Sequence, residues 1–459
     1  MGLVLPGVIL AMVLGALDQT IMAPALPAVA GSLRGLDQMP AVVSAYLVAA
    51  TVVMPVYGKL GDRYGRKPVM QVAIVVFVIG AVLCAVATTM PQFIAFRAIQ
   101  GLGGGGLMIG AQAIIGELVS PRERGRYLGF VGAAYVVAAV GGPLVGGLLI
   151  DRLSWRWIFA VYPPLGLVAL VVLSLTLRLP APLRRPDRPL DVTGALMLAV
   201  TVVGVVMVGQ TRSPAFLAVA GAGLVGWLVS ARFAKDPILP LRLFRDRAFA
   251  VPVAISLLTG FALFGTVTYM PAYLQIALRS SATNAGLLVT ALTGGVLLTT
   301  VASGRLITRT GVYKPYPIAG TAAAAVGLAL VGLAGGSPLA LAGAMVLTGL
   351  GVGLVIQVMV LAAQNAVAYA DLGTATSAVT FVRQIGASAG VALVGALITV
   401  RSGIAATPYE LPEGVREAFA AAAPPVFAAM APLLVVAFAL ALILPARPLR
   451  TTAHVEETA

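Results

Sequence analysis

The sequence predicts an all-α polytopic membrane protein built from two six-helix bundles with two extra transmembrane helices between them. Three observations carry this. Of 459 residues, 60% are hydrophobic and only 10% charged, with a mean hydropathy of +1.01; soluble domains are nearer half apolar and a quarter charged. About fourteen apolar runs are long enough to cross a bilayer, at ~20 residues each. A basic, glycine-punctuated loop after the second run recurs in altered form after the tenth, the mark of an internal repeat.

The runs fall in order at 3–29, 41–60, 69–89, 92–119, 127–150 and 158–177. The first lacks a basic stretch before it and outruns a leader's apolar core, so it reads as a retained span. A Pro/Arg-rich stretch, 178–189, ends the first bundle. Two plainer spans follow at 192–209 and 215–231. The second bundle occupies 249–274, 285–306, 316–334, 339–366, 374–400 and 421–444. The domain division is therefore 1–180, a linker with the extra spans at 181–248, a second bundle at 249–446, and a tail at 447–459.

The net charge is +14. A basic surface suits nucleic acid, but these charges sit in short loops between apolar helices, so no nucleic-acid partner is expected. With an even number of spans, about 21 Lys and Arg lie on the side of the termini and about 7 on the other, with Arg97 and Arg383 inside spans. Cytoplasmic loops hold the excess of Lys and Arg, which places both termini in the cytoplasm. One cysteine, Cys84, and one histidine, His454, leave no disulfide within the chain and no site built on several His and Cys ligands. No cofactor is expected, and no nucleophile–base constellation marks an enzyme.

The repeated loops read Gly58-Lys59-Leu60-Gly61-Asp62-Arg63-Tyr64-Gly65-Arg66-Lys67-Pro68 and Gly304-Arg305-Leu306-Ile307-Thr308-Arg309-Thr310-Gly311-Val312-Tyr313-Lys314-Pro315. With them go Arg97-Ala98-Ile99-Gln100-Gly101-Leu102-Gly103 in the fourth span, and Gly141-Gly142-Pro143-Leu144-Val145-Gly146-Gly147 in the fifth. The first span carries Leu17-Asp18-Gln19-Thr20-Ile21 with Ala25-Leu26-Pro27, and the thirteenth Phe381-Val382-Arg383-Gln384-Ile385-Gly386. Together these resemble the major facilitator superfamily, in its fourteen-span drug:proton antiporter branch. The resemblance covers nearly the whole chain. It implies the major facilitator fold, alternating access between two faces of a bacterial cell membrane, and export of small molecules in exchange for protons by a monomer.

Asp18 is the candidate proton carrier, because holding a charge deep in a span costs several kcal/mol. Arg97 is its expected partner. Counting ~1.5 Å of rise per residue from the span ends puts both at one depth. The alternative is a static structural pair. Asp62, Arg66 and Glu117, with Gly58 and Gly65, read as a cytoplasmic latch. The resemblance implies that Asp62 meets the start of the penultimate span near Thr374, where a helix N-terminus attracts an acid. Lys59 and Arg63 read as solvated loop charges, as does Asp191. Thr308 replaces the acid in the second loop, which puts a matching latch there in doubt.

Gly141, Gly142, Pro143, Gly146 and Gly147 break and thin the fifth helix, and the resemblance assigns them to a rocking seam between the bundles. The run Gly101 to Gly106 fits a nucleotide-binding pattern, but no strand precedes it; a thin helix face beside the cavity is the expectation. Gln112, Tyr135, Tyr269, Gln357, Asn365 and Arg383 are candidate cavity residues. Arg383 reads as lying early in its span, either reaching the surface or meeting an acid. The expected substrates are hydrophobic or amphipathic drugs; a dedicated exporter of a metabolite, antibiotic or lipid is the alternative.

Overall fold

The computed structural model describes residues 4–35, 38–179, 189–211, 213–279, 282–334, 337–402 and 413–449. Most of the Pro/Arg-rich stretch and the tail from 450 onward, with His454, lie outside these residues. The first bundle comprises α1 (Val4–Ser32), α2 (Met39–Tyr64), α3 (Arg66–Val86), α4 (Met90–Leu118), α5 (Pro121–Arg152), and a span broken into α6 (Arg156–Ala160) and α7 (Tyr162–Thr176). The extra pair is α8 (Val192–Thr211) and α9 (Ala215–Phe233). The second bundle has α10 (Arg247–Ile276), α11 (Ala282–Thr310), α12 (Pro315–Leu333), the broken span α13 (Pro338–Gly353) and α14 (Ile356–Ala366), α15 (Leu372–Ser402), and α16 (Glu413–Ala428) with α17 (Ala431–Ile443). Fourteen spans long and apolar enough to cross a membrane result among the described residues.

Helix starts follow local chemistry. Thr89 caps α4 by accepting from the Gln92 amide, Asp246 caps α10 through Ala248, and Pro fills the first turn of α4 and α5, where its missing N–H costs nothing. Between α2 and α3 the chain reverses at Gly65, with φ at 94°. Gly311, at φ 73°, does the same before α12. Both positions lie where a side chain would strain the backbone, so the repeated glycines have a shared physical cause.

The bundles meet along two seams, α2 against α15 and α5 against α11. On the second seam, Gly125 lies against Gly304, and Gly129 and Gly132 against Thr300. Gly147, further along the same stripe of α5, has no described atom near its side-chain position, and Pro143 is exposed. The described contacts between the two helices lie at the end bearing the repeated loops. The extra pair packs against the first seam, with α8 lying on both α2 and α15.

The run Gly101 to Gly106 is not beside the cavity. A Cβ at Gly101 or Gly105 would overlap backbone oxygens of Tyr46 and Ala50 on α2, and one at Gly103 would overlap Phe77 on α3. These glycines let α4 sink between α2 and α3, the small-residue packing that membrane helices favour.

Candidate functional site

Three assemblies stand out: a buried ion pair, a latch, and a cavity. In the first, Arg97 of α4 places one guanidinium nitrogen 2.9 and 2.8 Å from the two carboxylate oxygens of Asp18 on α1. Gln100, one turn further along α4, donates to Asp18 Oδ1 at 3.0 Å and accepts from Arg97 at 2.7 Å. Asp18 is 0% and Arg97 1% exposed. The Tyr46 ring lies under the guanidinium at 4.4 Å, a cation–π contact that supplements the carboxylate. A charge pair this dry is sensitive to its partners: removing one costs about 3–5 kcal/mol by leaving the other uncompensated.

The latch joins the bundles at the looped end. Asp62 accepts from the backbone amides of Gly373 and Thr374, both at 2.7 Å, and from the Thr374 hydroxyl at 2.9 Å. These are donors of the first turn of α15 that the helix itself leaves unsatisfied, and there the helix dipole adds to the attraction. Arg66 pairs with Asp62 at 3.0 Å and with Glu117 of α4 at 3.0 Å, and donates to the Ala113 carbonyl at 2.8 Å. The Tyr369 hydroxyl donates to Glu117 from across the interface. Gly58 allows the close approach, since a Cβ there would overlap Ser377 Oγ.

Neighbouring charges depart from the expectation of solvated loops. Lys59 is buried and pairs at 2.5 Å with Asp236, in the segment after α9; Arg63 approaches the same carboxylate at 3.9 Å. Asp191 is buried too, where it accepts from the Gly194 amide and the Ser230 hydroxyl and so ties α8 to α9. The acid that holds Lys59 and Arg63 is far off in sequence, which is why spacing gave no sign of it.

A cavity of about 460 Å³ lies between the bundles. Four of the expected residues line it: Gln112, Tyr135, Gln357 and Arg383. Arg383 sits roughly 16 Å into α15, at 1.5 Å per residue. At that depth it lines the cavity instead of reaching the surface, and no described acid pairs with it, in keeping with the lack of acids inside the second-half spans read from the sequence. Two expectations are corrected. Asn365 lies at the far end of α14 and donates to the Pro448 carbonyl at 3.3 Å. Tyr269 directs its hydroxyl at Gly395 of α15, away from the lining. Sequence reading missed Gln19, Ser44, Gln384 and Ser388 on this wall, and also Val206, Gly209 and Gln210 of α8. The amide of Gln210 donates to the Ser44 hydroxyl. A polar residue ending an otherwise plain span was the available signal.

In the fifth-helix motif, the described contact is made by Gly142. Gly142 is buried with its Cβ position on Thr20 of α1, and Thr20 donates to the Ala138 carbonyl at 2.9 Å. Gly146 is buried and Gly141 half-buried, with no described atom near the Gly141 side-chain position. The contact shown by this motif is thus within the first bundle; the seam to α11 is made by Gly125, Gly129 and Gly132.

Two six-helix bundles around a cavity, joined at one end by ion pairs and helix-end hydrogen bonds, are the architecture of a secondary transporter. The chain belongs to the Major Facilitator Superfamily, whose profile matches residues 8–391 and 277–458. It is 38% identical over 408 residues to an uncharacterized transporter of this type from Mycobacterium tuberculosis, covering 86% of this chain and 59% of that protein. The chain thus spans about three-fifths of that relative's length. It is 32% identical to the multidrug transporter protein MdtP of Bacillus subtilis, with 87% of this chain and 76% of that one aligned. Among solved structures, the proton:xylose symporter XylE superposes with a TM-score of 0.70 at 17% identity, covering 97% of this chain and 96% of the other. That likeness shows the fold.

Proposed function

We propose that this transporter exports hydrophobic or amphipathic small molecules in exchange for protons. The observation that carries the reading is the Asp18–Arg97 pair. It is buried inside the first bundle, and the residue after Asp18, Gln19, lines the cavity. A proton arriving on Asp18 neutralises one member of a dry pair and leaves Arg97 uncompensated. The pair then favours a different arrangement of α1 and α4, and that is how a local protonation biases a two-state carrier. The latch of Asp62, Arg66 and Glu117 stabilises the state closed at the looped end and must break for the other. The excess of Lys and Arg in those loops supports a cytoplasmic placement of that end and of both termini. The protein works as a monomer in a bacterial cell membrane, since one chain supplies the cavity, the latch and the carboxylate.

The names of relatives such as MdtP support efflux of several compounds. Proteoliposomes loaded with a panel of unrelated dyes test this, with and without an imposed pH gradient. Gradient-driven export of several dyes, mutual competition among them, and loss of coupling in Asp18→Asn are expected. Undiminished export after collapse of the gradient, with no other ion or energy source present, overturns the proton coupling. Export confined to one compound favours a dedicated carrier.

A further inference from the structure

We propose that the cavity selects amphipathic organic anions, with Arg383 as the group that receives the substrate's carboxylate, sulfonate or ionised phenol. The inference names the substrate class of the cavity just described and rests on that cavity's being the transport site. The lining contains no Asp or Glu; Arg383 is its single charged residue among those described. No described residue hydrogen-bonds to the guanidinium or forms an ion pair with it, and Nη1 is buried without a partner.

Three other buried cations behave differently. Arg97 is neutralised by Asp18, Arg66 by Asp62 and Glu117, and Lys59 by Asp236. The buried Asp18–Arg97 pair adds no net charge to the cavity field. The net charge that remains on this wall is therefore the one on Arg383, deep in α15. A charge set in the cavity wall without a counterion is costly, and the buried Nη1 is a donor for which the described residues supply no acceptor.

The surroundings fit an amphipathic ligand. Tyr135 of α5 and Gln357 of α14 share the cavity with Arg383, and Gln357 Oε1 is likewise buried without a partner. Much of the rest is apolar, including Met12, Leu47, Met108 and Phe264. The volume, about 460 Å³, lies in the range of drug-sized sites, where a few polar groups fix orientation against an apolar body. A planar guanidinium with free donors recognises a carboxylate or sulfonate through two parallel hydrogen bonds. It repels a cation, and with no acid on the wall a cationic substrate finds no counterion.

The test uses three ligands that share one fluorophore and differ in charge: dansylglycine, dansylglycinamide and dansylethylenediamine. Binding is read by fluorescence on the purified full chain in detergent, where no gradient exists. Wild type is expected to bind the anion about tenfold more tightly than the cation, the effect of one charge-assisted contact. Arg383→Gln should lose about tenfold for dansylglycine while the neutral amide changes less than about threefold, and Arg383→Lys should recover part of the anion preference. Equal affinity for all three probes in wild type, or an equal loss for all three in the Gln variant, overturns the proposal. Retained binding of the neutral amide shows that the variant is folded; if it is not, the wild-type ranking and the Lys variant decide. Because no gradient enters this assay, a failed proton coupling leaves its outcome intact, and a failed anion preference leaves the coupling standing.

Discussion

The two repeated loops occupy equivalent places in the two bundles, yet they close the carrier by different means. At the end of α2, Asp62 gathers three hydrogen bonds from the first turn of α15 and is backed by Arg66 and Glu117. At the end of α11, Thr308 takes a single bond from the Arg126 amide at 3.2 Å, and Arg122 donates to the carbonyls of Thr308 and Arg309 at 3.3 and 3.0 Å. Backbone geometry is shared, as Gly65 and Gly311 show, while ionic chemistry is not. The difference extends inward. The first bundle holds the carboxylate and its arginine, whereas Arg383, in the second, has no acid. One bundle thus carries the buried acid–arginine pair, and the other supplies helix-end donors, backbone acceptors and a cavity-lining arginine.

Substitutions can break or sharpen that asymmetry. The largest effect is expected from Asp18→Asn, which should abolish gradient-driven efflux in proteoliposomes while the variant still inserts and purifies as a single species. Asp62→Asn should come next. It replaces a charged acceptor worth about 2 kcal/mol at that helix end, so the closed state should lose roughly 30-fold in population and turnover should fall. Alkylation of a cysteine placed at Ser388, a cavity-wall residue close to cysteine in size, followed from the looped side, measures that opening. Thr308→Asp adds the missing acid opposite Arg122 and Arg126; slower turnover with tighter closure is expected, by about threefold for a half-exposed pair. Thr308→Ala removes one neutral bond, worth about 1 kcal/mol or less, and should change efflux rates less than either acid variant. Asn365→Ala should be smallest of all in transport: its bond to Pro448 lies outside the cavity, so dye affinity should stay within about twofold while thermal stability drops slightly.

How far the sequence could lead depended on the kind of signal. Span existence and number follow from apolar length alone, since a bilayer forces each segment to satisfy its own backbone. The level of Asp18 and Arg97 was also legible, because depth in a helix is a count of residues, and the two side chains lie 2.8 Å apart. Direction around a helix was not. α10 is apolar on most faces and gave Tyr269 no phase, whereas Asn365 was misplaced because a polar residue on the amphipathic α14 can meet the chain after α17 as well as the cavity. Both turn away from the cavity, while Gln357 on the same α14 turns toward it. Arg383 was read too near a helix end, because the distance to the nearest polar loop says little about which residues a partner helix will cover. Asp236, the partner of Lys59, and Ser230, one of two partners of Asp191, came from segments with no periodicity relating them.

The position of α8 has a consequence for how such a carrier moves. Val206, Gly209 and Gln210 form part of the chamber wall, and the same helix rests on one member of each bundle. A two-body rocker needs only a pair of rigid halves and a fulcrum. Here a third body borders the cargo, so whenever the halves tilt, this helix must either ride with one and slide along the other or let the chamber open sideways into lipid.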